Sequence, residues 1–131
     1  MIVDTSALVA IIRNEPEIAR FAKLILSANR PAMSAASYLE TGIVIDGQRD
    51  PASSQRIDEM ISILALTVMP VTEAQAKIAR SAYQAFGKGS GHKAQLNFGD
   101  CFSYALAKDQ KKPLLFKGND FSKTDIQVAL P

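Results

Sequence analysis

Met1-Ile2-Val3-Asp4-Thr5-Ser6-Ala7 is the stretch on which the reading of this chain turns. Three apolar residues that end at a polar turn are too short for a helix and read as a buried strand with an acid at its exit. Ala7 to Arg13 then reads as a short helix. Outward from this start, helical patterns alternate with short apolar runs. Pro16 suits the first turn of a second helix, with Asn14 as its cap, and Ile18, Phe21 and Ile25 give that helix one apolar face. Pro31-Ala32-Met33 is a weak second strand. Ser34 or Ser37 caps a helix through Leu39 and Ile43 toward Gly47. Pro51 opens the next, with Ile57, Met60, Ile61 and Leu64 on one side. Leu66 to Met69 reads as a strand closed by Pro70. Thr72 with Gln75 three residues on has the form of a capping box, and the helix it starts turns Ile78, Ala79, Ala82 and Phe86 inward. Gly87 to Lys93 reads as a flexible loop. Phe98, Cys101, Phe102, Ala105 and Leu106 line one face of the last helix. Pro113 to Phe116 is a strand, and Ile126 to Val128 a short final one. This alternation predicts an α/β fold with a central parallel sheet, in one domain over residues 1–131.

Composition sets the bounds. The chain has 131 residues, of which 47% are apolar and 21% charged. That is enough to bury roughly two-thirds of the unfolded surface without disulfides. Cys101 is the only cysteine, so no internal disulfide forms, which fits a reducing compartment. No apolar run reaches the ~18 residues of a membrane span. The acid at position 4 and the absence of a basic leader argue against a signal peptide, so a cytoplasmic protein is expected. Net charge is +2, but nine of the fifteen basic residues fall between Lys77 and Lys123. A polyanion could use such a surface, but on charge alone ordinary solvated lysines are the preferred reading.

Four acids are the candidates, three of them at the ends of these elements. Asp4 follows the first strand, at the kind of edge where open α/β sheets bind ligands. Asp100 lies in the first turn of the last long helix, where the helix dipole favours its ionised form. Asp120 follows the Leu114 to Phe116 strand. Glu40 sits within a helix. Each has an ordinary reading when taken alone: a helix cap for Asp4, a solvated face for Glu40, a first-turn acid for Asp100, a turn former for Asp120. Together they suggest one rim, because carboxylates crowded within a few ångströms stay ionised only around a cation. All-oxygen ligation suits Mg²⁺ or Mn²⁺ better than Zn²⁺. His92 is the only histidine, which leaves zinc pairs and His-based triads without support. A P-loop fails on Gly89 and Ala82. A phosphatase that opens on a strand ending in Asp would need a second Asp where Ser6 stands.

Four segments carry a resemblance. Ile2-Val3-Asp4-Thr5-Ser6-Ala7 resembles the opening motif of PIN-domain nucleases. Tyr38-Leu39-Glu40 resembles the helical glutamate of that family, and Asn97-Phe98-Gly99-Asp100-Cys101 its third-acid helix. Leu115 to Phe121, with Thr124-Asp125-Ile126, resembles the C-terminal segment of VapC-type toxins. The resemblance implies a three-layer α/β/α sandwich and Mg²⁺- or Mn²⁺-dependent cleavage of RNA, often at structured tRNA or rRNA sites. It matches Asp4, Glu40 and Asp100 to the acidic triad and Asp120 to the fourth acid, with Asn119 standing where many members carry another. Thr5 or Ser6 matches the hydroxyl beside the first acid. An antitoxin that enters the active-site groove and a homodimer are also implied.

The mechanism expected from this set has Asp4 and Asp100 holding the metal, with Glu40 and Asp120 completing the site directly or through water. A metal-activated water then attacks the phosphodiester in line, with Glu40 as a candidate proton acceptor. The resemblance implies 5′-phosphate and 3′-hydroxyl products. Thr5, Ser6, Lys88, His92, Lys93 and Lys117 are candidates for holding RNA. The competing expectation is a catalytically inactive PIN-fold module that binds RNA or an antitoxin.

Overall fold

The computed structural model describes residues 1–130. Its elements, in chain order, are β1 (Ile2–Val3), α1 (Thr5–Ile12), α2 (Ile18–Ser27), β2 (Ala32–Ser34), α3 (Ala35–Asp46), α4 (Pro51–Ile63), β3 (Thr67–Met69), α5 (Glu73–Phe86), α6 (Phe98–Gln110) and β4 (Leu114–Leu115). A 3₁₀ turn over Phe121–Lys123 follows. All strand pairings are parallel, in the order β3-β2-β1-β4. β1 is therefore an interior strand, and its carboxyl end opens at the middle of the sheet rim.

Period-two alternation divides the strands between two cores. Val3, Met33 and Leu115 pack with α1, α2 and the buried Ile45, Ile57 and Leu64. Ile2, Ala32, Leu114 and Phe116 face the other way, onto Ala79 and Ala82 of α5 and onto Cys101, Tyr104, Ala105 and Leu106 of α6. The result is three layers, helices on both faces of a parallel sheet, as expected. Among the described residues no helix is long and apolar enough to cross a membrane.

Local chemistry moves several boundaries. α1 begins at Thr5 because the Asp4 carboxylate caps it by accepting from the Ser6 N–H. Asn14 does not cap α2. It takes a left-handed φ of 52° as the chain leaves α1, and α2 starts at Ile18 without a side-chain cap. Of the two serines offered for α3, Ser34 is the cap. Thr72 accepts from the Gln75 N–H at 3.1 Å, but the Gln75 side chain reaches Asp109 at 3.2 Å instead of turning back, so the box is half made. The loop after α5 is closed at its base by Lys88 N–H to Leu96 O at 2.8 Å and Leu96 N–H to Phe86 O at 2.9 Å. The final strand reduces to one bridge, Leu114 with Val128. Only Ile126 of that segment is buried, so no apolar face holds a longer pairing.

Candidate active site

Asp4 sits at the carboxyl end of β1, where its N–H donates to Leu115 O at 2.9 Å. It is 3% exposed. Both carboxylate oxygens are held. Oδ2 accepts from the Ser6 N–H at 2.9 Å and the Ser6 hydroxyl at 2.7 Å, and Oδ1 accepts from the Ser103 hydroxyl at 2.5 Å. A buried carboxylate needs such donors, and three of them fix its plane.

Glu40 reaches the same region because α3 begins immediately after β2, with no loop between. It is half-buried. Burial raises its pKa, the nearby Thr5 hydroxyl partly offsets this, and the charge of Asp4 raises it further. A Cβ at Gly99 would overlap the Glu40 carboxylate, so the first turn of α6 approaches Glu40 as closely as glycine allows.

Asp100, the next residue, closes a complete capping box. Its N–H donates to Asn97 Oδ1 at 2.9 Å, and its Oδ2 accepts from the Asn97 N–H at 3.0 Å. Burial lifts its pKa to about 7, the Asn97 N–H opposes this, and the charges of Asp4, Asp120 and Glu40 add to the lift. Asp120 itself is exposed, on the turn before Phe121. Three acids from other segments of the chain, Asp4, Asp120 and Glu40, thus all act on Asp100.

Carboxylates are the donor type that suits a hard divalent cation, and burial with like charge is what lifts Asp100. Among the described residues no group of three or more Asp, Glu, His or Cys side chains is placed so that it could hold a metal ion. Asp4 is the anchored member, whereas Glu40, Asp100 and Asp120 are half-buried or exposed. Cys101 offers no nucleophile, since burial and the Asp100 charge push its thiol up to about 11.

The other candidates fall elsewhere. Thr5 is buried, and its hydroxyl donates to Ser37 O at 3.1 Å. The Ser6 hydroxyl donates to Asp4 and accepts the Lys117 N–H at 2.9 Å. Both hydroxyls are engaged within the protein, Thr5 with Ser37 and Ser6 with Asp4 and Lys117. The Lys117 ammonium is paired with Glu15 at 2.5 Å and Glu17 at 3.2 Å, so it is no free counter-charge. Lys88 and Lys93 are exposed on the loop that leads into α6. His92 lies in that loop, where its Nδ1 accepts from the Ala94 N–H at 3.0 Å and its ring packs edge-on against Phe86.

A PIN-domain family model matches residues 1–127. The chain belongs to the PIN-domain family. Within that family it is similar to Ribonuclease VapC28 of Mycobacterium tuberculosis, 58% identical over 130 residues, which are 99% of this chain and 98% of the relative. Ribonuclease VapC30 of the same species is 47% identical across the whole of both chains. Among solved structures, M. tuberculosis VapC20, described as a sarcin-ricin loop cleaving toxin, superposes with a TM-score of 0.75 at 17% identity, covering 98% of this chain and 97% of that one. At that identity the likeness speaks for the fold alone.

Within this PIN domain, sequence reasoning passed over Gly99, Ser37 and Ser103. A signal was available for the two serines. Ser37 stands three residues before Glu40, and Ser103 three after Asp100, so each shares a helix face with its acid.

Proposed function

We propose that this PIN domain is a metal-dependent endoribonuclease, the toxin of a toxin–antitoxin pair, which hydrolyses phosphodiesters in structured RNA such as tRNA or rRNA. The observation that carries the reading is that α6 meets both other acid-bearing segments beside Asp100, with Gly99 against the Glu40 carboxylate and Ser103 donating to Asp4. Relatives at 58% and 47% identity named as VapC ribonucleases support it. The antitoxin partner is carried over from the VapC-type toxins that the C-terminal segment resembles.

Asp4 and Asp100 would hold Mg²⁺ or Mn²⁺, with Glu40 and Asp120 completing the site directly or through water. When bound, the ion supplies positive charge for the phosphate and acidifies a water for in-line attack. Glu40, whose carboxylate meets the first turn of α6 beside Asp100, is the candidate to accept the proton of the attacking water. Lys88 and Lys93 draw the RNA backbone toward a rim that would otherwise repel it. Lys117 is left out of this set because Glu15 and Glu17 already hold it.

RNA cleavage tests the proposal. With Mg²⁺ the wild-type chain should cut a structured RNA; EDTA should abolish cutting, and Asp4→Asn or Asp100→Asn should lower it by about 100-fold or more. Cleavage that survives both EDTA and the substitutions would overturn the metal mechanism. RNA binding without any cleavage would leave a binding module in its place.

A further inference from the structure

We propose that Ser37 and Ser103 form a buried hydroxyl relay that orients Asp4, and that Ser103 is a positioning residue of the site. The inference rests on the nuclease reading above.

Proton counting sets the direction of the relay. Ser103 donates to Asp4 Oδ1 and stands 3.0 Å from the Ser37 hydroxyl. An ionised carboxylate only accepts, and a serine hydroxyl has a single proton to give. Ser103 uses its proton on Asp4, so Ser37 must donate to Ser103. The order is Ser37 to Ser103 to Asp4, and all three residues are buried. Ser37 is itself pinned, because its carbonyl accepts the Thr5 hydroxyl at 3.1 Å and the Thr41 hydroxyl at 2.8 Å.

The relay reaches where local structure cannot. Ser6 holds only Oδ2, as the helix cap two residues on. Oδ1 depends on Ser103, 99 residues away on α6. Without that hydroxyl, Oδ1 is a buried acceptor with no protein donor, the Ser37 proton loses its acceptor, and the carboxylate keeps one fixed edge instead of two. The relay also ties α3 to α6 one helical turn from Glu40 and Asp100, so one chain of hydrogen bonds spans the three elements that carry the acidic triad. Groups that orient metal-holding carboxylates by hydrogen bonds commonly matter about 10- to 100-fold for affinity or rate.

The test compares the full-length wild type with Ser103→Ala, Ser103→Cys and Ser37→Ala, using Mn²⁺ alone in calorimetric titration, kcat and KM for a structured RNA, and circular dichroism. Ser103→Ala should keep its helical spectrum, bind Mn²⁺ about 10-fold or more weakly and lose kcat with KM little changed. Ser103→Cys fills the same space with a poor donor and should behave like Ser103→Ala, whereas recovery by Cys would assign the residue to packing and overturn the relay. Ser37→Ala should show a smaller loss of the same kind, and it decides the matter if the Ser103 variants do not fold. Wild-type Mn²⁺ affinity and kcat in all three variants would overturn the inference and leave the nuclease reading standing. A wild type that neither takes up Mn²⁺ nor cuts RNA would end both.

Discussion

Asp100 holds its proton more tightly in the folded chain than an unfolded chain would, at about 7 against an ordinary 3.8. Burial comes first among the causes, and the charges of Asp4, Asp120 and Glu40 follow. The sign of the linkage follows from this. A folded pKa raised above the unfolded one gives stability that is whole below the unfolded value and is lost as pH rises through the folded one. In EDTA, the melting temperature should therefore fall between about pH 4 and about pH 8, partly through Asp100. Asp100→Asn should remove that part, gaining on the order of 1–2 kcal/mol at the alkaline end once solvent screening of a half-buried group is allowed for. Thermal melts of both proteins across this range check it, and parallel curves would show that Asp100 does not carry the strain. The same residue would thus cost stability and serve the site, as polar groups in active sites often do.

At the scale of elements, α6 is the piece that assembles the site. Its first turn brings Gly99 against Glu40, its capping box turns Asp100, and its second turn sends Ser103 to Asp4. The loop that feeds it carries Lys88 and Lys93, closed at the base by backbone hydrogen bonds and exposed at the side chains. This loop is the argued source of the sequence-independent grip on RNA. Each lysine contact to a single strand contributes about 0.7 to the slope of log affinity against log salt. A Lys88→Gln, Lys93→Gln double variant of an Asp4→Asn background, which binds without cutting, should lower the slope by about 1.4 in a fluorescence titration. An unchanged slope would return both lysines to the role of solvated loop charges.

At the scale of the whole molecule, apolar side chains remain on the outside beside the acids. Leu39 and Ile43 of α3 are 62% and 65% exposed, and Phe98 at the start of α6 is 78% exposed. The approach of Gly99 to Glu40 makes these one neighbourhood. Contiguous exposed apolar surface is where proteins associate, and the expected homodimer would use this face. Light scattering should give a dimer mass for the wild type and a monomer mass for a Leu39→Glu, Ile43→Glu double variant. A monomeric wild type would refute the dimer, and an unaltered dimer in the double variant would place the interface elsewhere.

Period and punctuation in the sequence sufficed for the helices and for a parallel α/β sheet, because these follow from local propensity and alternating burial, whereas the three-layer class came from the resemblance and the fifth expected strand shrank to one bridge. Asp4, Asp100 and Asp120 were visible as candidates from their places at element ends, and Glu40, inside a helix, from a resemblance across the chain. Tertiary structure alone brought Ser103 to Asp4 across 99 residues, committed Thr5 and Ser6 inward, paired Lys117 with Glu15 and Glu17, and made Gly99 the contact point for Glu40. The physical reason is the range of the interactions. Secondary structure is set by neighbours a few residues apart, whereas a hydrogen bond or an ion pair is set by distance in space, which exists only once the sheet has stacked its helices.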